Sequence, residues 1–172
     1  MTLQYTDVRT ITTPPYLDWD QGRELVFGLN KALATLTDLA VTYKQAHWNV
    51  LGPGFAQLHL LFDQFADETR TYVDTVAERA VSLGGVAHGT LENVAEHTAL
   101  APFPAEERDQ VQLLRELSRR VERVLDELRD AIETSGEEPV TEDVYIEIAR
   151  GIEKQRWMLL AHLSGQPLNS GD

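Results

Sequence analysis

Residues 55–83 read FAQLHLLFDQFADETRTYVDTVAERAVSL, a run whose spacing points to one long amphipathic helix. Leu58, Phe62, Phe65, Tyr72, Val76 and Ala80 recur at steps of three, four or seven, the period of a helix with one apolar face. On the same helix His59 and Asp63 are neighbours one turn apart, and so are Asp74 and Glu78. Asp63 and Asp74 lie almost three full turns apart, so all four side chains share a stripe. With a rise of about 1.5 Å per residue, the two pairs are separated by about 20 Å and cannot reach one ion on a single helix. A second, antiparallel copy brings them together: where Asp63 of one chain faces Asp74 of the other, His59 faces Glu78. That geometry is an isologous two-fold dimer with two identical metal sites. The bland alternatives are a chance His–Asp pair and a solvated Asp–Glu pair on a surface helix.

In the same register Asp67 and Arg70 face each other across the two-fold axis as reciprocal salt bridges. The alternative for them is an ordinary contact within one helix at i,i+3.

Upstream, residues 47–52 read HWNVLG. His47 closes an apolar series running through Leu25, Leu29, Leu33, Leu36, Ala40 and Tyr43, a helical stripe beginning at about Asp20 and broken by Gly52, Pro53 and Gly54. On that stripe His47 is either a ligand or a satisfied core histidine. Trp48 is either a one-electron donor beside a metal or a packing residue at the helix end, and packing is the simpler role. Two imidazoles and a carboxylate, from His47, His59 and Asp63, form a set suited to ferrous iron with positions open for an oxidant. Asp74 and Glu78 from a partner would add hard oxygen ligands that favour the ferric product.

Gly84-Gly85 ends the second helix. Residues 86–103 form a longer connection with a short helix around Leu91 to Glu96. Pro104 with Glu106 and Glu107 reads as the first turn of a third long helix, with a stripe from Val111 to Ile132. Gly136 and Pro139 interrupt, Thr141 with Glu142 and Asp143 restarts, and a fourth long helix runs to about Leu163. Residues 1–19 read as an extended N-terminal arm, 20–163 as one four-helix bundle, and 164–172 as a flexible tail.

The 172 residues include no cysteine, which excludes disulfides, thiolate metal sites and cysteine nucleophiles. No phosphate-binding glycine loop, Gly-x-Ser-x-Gly elbow or His-Glu-x-x-His motif is present. The lack of a Glu-x-x-His pair disfavours a di-iron site inside one bundle and favours one between chains. No secretory signal or bilayer-length apolar stretch is read from the sequence, so the expectation is a cytoplasmic protein. Net charge is −13, with 28 acidic against 15 basic side chains, which argues against a broad polyanion-binding surface. His88, His97 and His162 have no partner spacing. Asp126, Asp130, Glu133, Glu142 and Glu153 line a pore or are simply solvated.

Taken together, residues 44–55 (KQAHWNVLGPGF), 58–63 (LHLLFD) and 74–85 (DTVAERAVSLGG) resemble the Dps family of mini-ferritins in order and spacing. The resemblance implies an all-α, ferritin-like four-helix bundle with a short extra helix in the middle connection, assembled as a hollow dodecamer. It implies ferroxidase centres at two-fold interfaces, with His47, His59 and Asp63 from one subunit and Asp74 and Glu78 from its mate. Trp48 would sit beside each centre as an electron donor or radical trap. The implied activity is oxidation of Fe(II), preferentially by hydrogen peroxide, with storage of ferric oxide mineral and protection from oxidative damage. Many DNA-binding members carry a mobile Lys-rich tail. Here residues 1–20 hold Arg9 against Asp7, Asp18 and Asp20, the last nine residues hold no Lys or Arg, and the chain has three lysines. Tight nonspecific DNA binding is therefore not expected. The alternative function is a DNA-binding, compacting protein, nucleoid-associated, with secondary ferroxidase activity.

Overall fold

A computed structural model describes residues 14–136 and 138–164. The arm expected at 1–19 lies outside the described residues up to Thr13, and the tail expected at 164–172 lies outside them after Ser164. Among the described residues the chain forms five helices: α1 Trp19–Asn49, α2 Phe55–Ser82, α3 Leu91–His97, α4 Gln110–Thr134 and α5 Pro139–Leu163. Helix α1 packs on α2 and α4 on α5, while α1–α4 and α2–α5 contacts close the bundle. Leu29, Leu36, Leu39, Tyr43, Phe62, Phe65, Leu117 and Ile152 are among the side chains that fill its interior. The apolar period of each long helix is thus spent on one shared core.

The long middle connection has a geometric cause. Leu51 N–H donates to the Arg108 carbonyl (2.8 Å) and Gln110 N–H to the Leu51 carbonyl (3.1 Å), so α4 starts beside the α1–α2 turn. The chain must therefore travel back along the bundle after α2, and it carries α3 against α1 on the way. Polar residues on α1 hold this crossover. Asn30 donates to the Val86 carbonyl (2.9 Å) and accepts from His88 N–H (2.7 Å), and Thr35 Oγ1 accepts from Ala99 N–H (3.1 Å). Thr98 donates to Asp38 (2.8 Å). The buried guanidinium of Arg120 pairs with Glu116 (3.3 Å) and donates to the Ala101 carbonyl. The buried side chains of Asn30 and Thr35 are tolerable on a core helix because crossover backbone satisfies them.

Two helix starts differ from expectation. Helix α4 begins at Gln110, not near Pro104, because the Asp109 carboxylate accepts from the N–H groups of Val111 and Gln112 and makes the cap. Residues 104–107 form a separate turn closed by Glu107 N–H to the Pro104 carbonyl (3.0 Å). Helix α5 begins at Pro139, before Thr141: Glu138 caps it by accepting from Thr141 N–H (2.8 Å), and proline is at home in a first turn. Helix α1 also contains one stretch long and apolar enough to cross a membrane, contrary to the expectation from sequence. Of that stretch 67% is buried inside the bundle, so its apolarity serves the core.

Candidate metal centre

The Gly52-Pro53-Gly54 turn places the last turn of α1 beside the first turns of α2. Gly52 takes φ +137°, a conformation open to glycine, and Gly54 N–H donates to Gln110 Oε1 (2.7 Å). Across this turn the imidazoles of His47 and His59 stack, with ring centroids 3.8 Å apart and planes 19° apart. Each ring is tied to the other's backbone. His47 Nδ1 donates to the His59 carbonyl (2.7 Å), and His59 Nδ1 donates to the His47 carbonyl (2.8 Å). A carbonyl oxygen only accepts, so each Nδ1 is the donor and each Nε2 is left outside these hydrogen bonds. Orientation of a histidine by a carbonyl at one nitrogen, leaving the other free, is the arrangement metal ligation requires. His47 is buried, His59 is half-buried, and Phe55 lies beside the His59 ring at 5.2 Å.

Asp63 follows His59 by one turn of α2. Its carboxylate takes the ammonium of Lys44 from α1. That hydrogen bond, with lesser help from the nearby histidines, holds the Asp63 carboxyl below the usual carboxylate range. Trp48 is 65% exposed, with the Lys44 ammonium 5.9 Å from its ring centroid. Asp74 and Glu78 are exposed further along α2. Among the described residues no three His, Asp or Glu side chains converge on one point. One chain therefore assembles the histidine pair, turns Asp63 to Lys44, and leaves Asp74 and Glu78 distant.

Asp67 and Arg70 pair within their own helix at 3.0 Å. His88 offers its backbone N–H to Asn30, His97 lies 4.0 Å from Glu96, and His162 is exposed. Asp126 and Glu153 share the Arg129 guanidinium at 3.3 and 3.5 Å. Sequence reasoning did not single out Lys44; its position three residues before His47, on the same helical face, was the signal available.

The bundle, its crossover helix and the histidine pair define a ferritin-like helical protein. A family model described as "Ferritin-like domain" matches residues 28–167. Curated relatives include the DNA protection during starvation protein of Agrobacterium fabrum, 39% identical over 137 residues that make up 78% of this chain and 85% of that one. The protein of the same name from Mycolicibacterium smegmatis is 34% identical and covers 90% of this chain and 85% of its own. Among solved structures, DpsA14 from Streptomyces coelicolor superposes with a TM-score of 0.87 at 33% identity, covering 94% of this chain and 96% of the other. Dps from Microbacterium arborescens in the high iron form gives 0.80 at 34% identity, covering 86% and 97%. The chain belongs to the Dps family.

Proposed function

We propose that the chain is an iron-oxidising, iron-storing mini-ferritin subunit that works in a cytoplasmic, hollow dodecamer and protects against peroxide. The observation that carries this reading is the reciprocal His47–His59 lock, in which each Nδ1 is tied to the other residue's carbonyl and neither Nε2 is engaged by these hydrogen bonds. Iron is substrate and cargo. Fe(II) binds to His47, His59 and Asp63, and Asp74 and Glu78 of the neighbouring copy complete the site. Two ferrous ions give one electron each to hydrogen peroxide and the O–O bond breaks. With two waters consumed, two ferric oxyhydroxide units form and four protons leave. Peroxide and ferrous iron are spent together, which limits hydroxyl-radical formation. Trp48, beside Lys44 and next to His47 in the chain, is positioned to donate an electron when only one ferrous ion is present. The Microbacterium arborescens relative's high iron form supports iron as the cargo.

Stopped-flow mixing of the oligomer with Fe(II), peroxide or dioxygen under anaerobic preparation tests this. Rapid oxidation, faster with peroxide than with dioxygen, is the expected result. The His59→Ala variant should keep its oligomer and lose the fast phase, by about 10- to 100-fold as for loss of one supporting group at a metal site. An unchanged initial rate in that variant contradicts the assigned ligand role.

A further inference from the structure

Tyr43 stands four residues before His47 on α1, a spacing that brings two Cβ atoms within about 5–6 Å. It is fully buried, with the Phe65 ring edge-on at 5.4 Å between centroids. Burial first, and then the charge of Glu68, raises its pKa well above the ordinary phenol value. The phenol therefore does not ionise by itself, and it can lose a proton only together with an electron. Its hydroxyl has an outlet for that proton. Tyr43 donates to Gln155 Oε1 of α5 (3.0 Å), and Gln155 Nε2 donates to Glu68 Oε2 of α2 (3.2 Å). Gln155 is fully buried, whereas Glu68 is half-buried and also accepts from Gln64 (2.8 Å). Each donor in this chain points the same way, from a phenol one helical turn from His47 to a partly exposed carboxylate. Satisfying two buried polar side chains requires the Tyr43–Gln155 bond alone; the continuation to a carboxylate supplies a proton acceptor.

We propose that Tyr43 is a buried, reversible electron donor to the metal centre, completing the reduction of peroxide when a single ferrous ion is bound. The proposal rests on reading His47, His59 and Asp63 as the ferrous site. The ferrous ion gives one electron and Tyr43 gives the other; the O–O bond breaks and both oxygens leave as hydroxide. As the electron departs, the Tyr43 O–H bond breaks and its proton passes to Gln155 Oε1. A proton of Gln155 Nε2 passes to Glu68 in the same step. A neutral phenoxyl radical and a protonated Glu68 remain. A second ferrous ion then returns the electron, becoming ferric, and both protons move back. Trp48 is 65% exposed, so an oxidised indole there meets solvent, whereas Tyr43 keeps the oxidising equivalent inside the bundle.

Freeze-quenched electron paramagnetic resonance of the whole oligomer, given equal Fe(II) and hydrogen peroxide at one of each per centre, tests this. The unaltered protein should show a tyrosyl radical that disappears when a second equivalent of Fe(II) is added. Tyr43→Phe should lose that signal, and Tyr72→Phe should keep it. Glu68→Gln keeps an oxygen for Gln155 to donate to but no longer takes a proton, and should lower the radical yield about tenfold or more. An undiminished signal in Tyr43→Phe overturns the proposal, and so does an undiminished signal in Glu68→Gln. If Tyr43→Phe does not assemble, Glu68→Gln alone decides. Rapid Fe(II) oxidation by the unaltered protein with no tyrosyl radical overturns the role of Tyr43 and leaves the ferroxidase reading standing. Oxidation no faster than in buffer overturns the ferroxidase reading itself.

Discussion

Glu127 on α4 holds one carboxylate oxygen against the Thr35 hydroxyl (3.1 Å), while the other is buried with no hydrogen-bond partner among the described residues. Burial raises its pKa above the ordinary carboxylate value, and the Thr35 hydrogen bond and the charges of Lys31 and Arg123 offset this only in part. A carboxyl that binds its proton more tightly when folded costs stability as pH rises from the unfolded pKa through the folded one. Glu127→Gln should therefore raise Tm at neutral pH, and the gain should shrink below the carboxylate range, where Glu127 is protonated in both states. Thermal melts at the two pH values check this; a gain independent of pH contradicts it. The spacing of His59, Asp63, Asp74 and Glu78 was legible because helical period alone places them on one stripe. The Glu127 strain and the Lys44–Asp63 pair were not, since each depends on which side chain of another helix faces it.

The turn between α1 and α2 positions the histidine pair, and its chemistry is concentrated in Gly52. A Cβ there would stand 2.6 Å from Gln110 Oε1, the atom that accepts from Gly54 N–H, and φ +137° strains any side chain. Gly52→Ala should cost about 1–3 kcal/mol, read by chemical denaturation, and should loosen the stacked imidazoles together with the turn. A change below about 0.5 kcal/mol contradicts the role given to the turn. The glycine–proline break and the apolar periods announced this turn and the long helices around it. The starts of α4 and α5 were misplaced for a physical reason. Several acidic residues stand near each start, and only folded geometry shows that Asp109 and Glu138 are the caps. Glu138 is also enlisted by Arg79 of α2, at 2.5 Å. Burial alone would raise the Glu138 carboxyl, but hydrogen bonds from Thr141 and Arg79 outweigh it and leave the pKa lowered.

The whole molecule is acidic, and its charge bears on the relatives' name. With a net charge of −13 per chain and three lysines, few mobile cations are available to displace counterions from phosphates. A gel shift at about 0.15 M salt should show free DNA, and retarded DNA that releases steeply with added salt would favour the compacting alternative. The class of fold was legible from four amphipathic helices and one long connection. The pull of Leu51 on the start of α4, which makes that connection long, was not, because it is a backbone contact between distant parts of the chain.

In the proposed assembly each metal centre is shared between two chains, and mixing two inactive variants separates that arrangement from one confined to a single chain. His59→Ala removes a ligand on one side of the interface and Glu78→Ala one on the other. In a dimer of one variant with the other, both lesions fall in the same centre and the second centre is whole. Refolding the two together in equal amounts should restore about one quarter of the unaltered oxidation rate, since half the dimers are mixed and each has one intact centre of two. If all ligands came from one chain, every centre would carry a lesion, and the mixture would be as inactive as its parts.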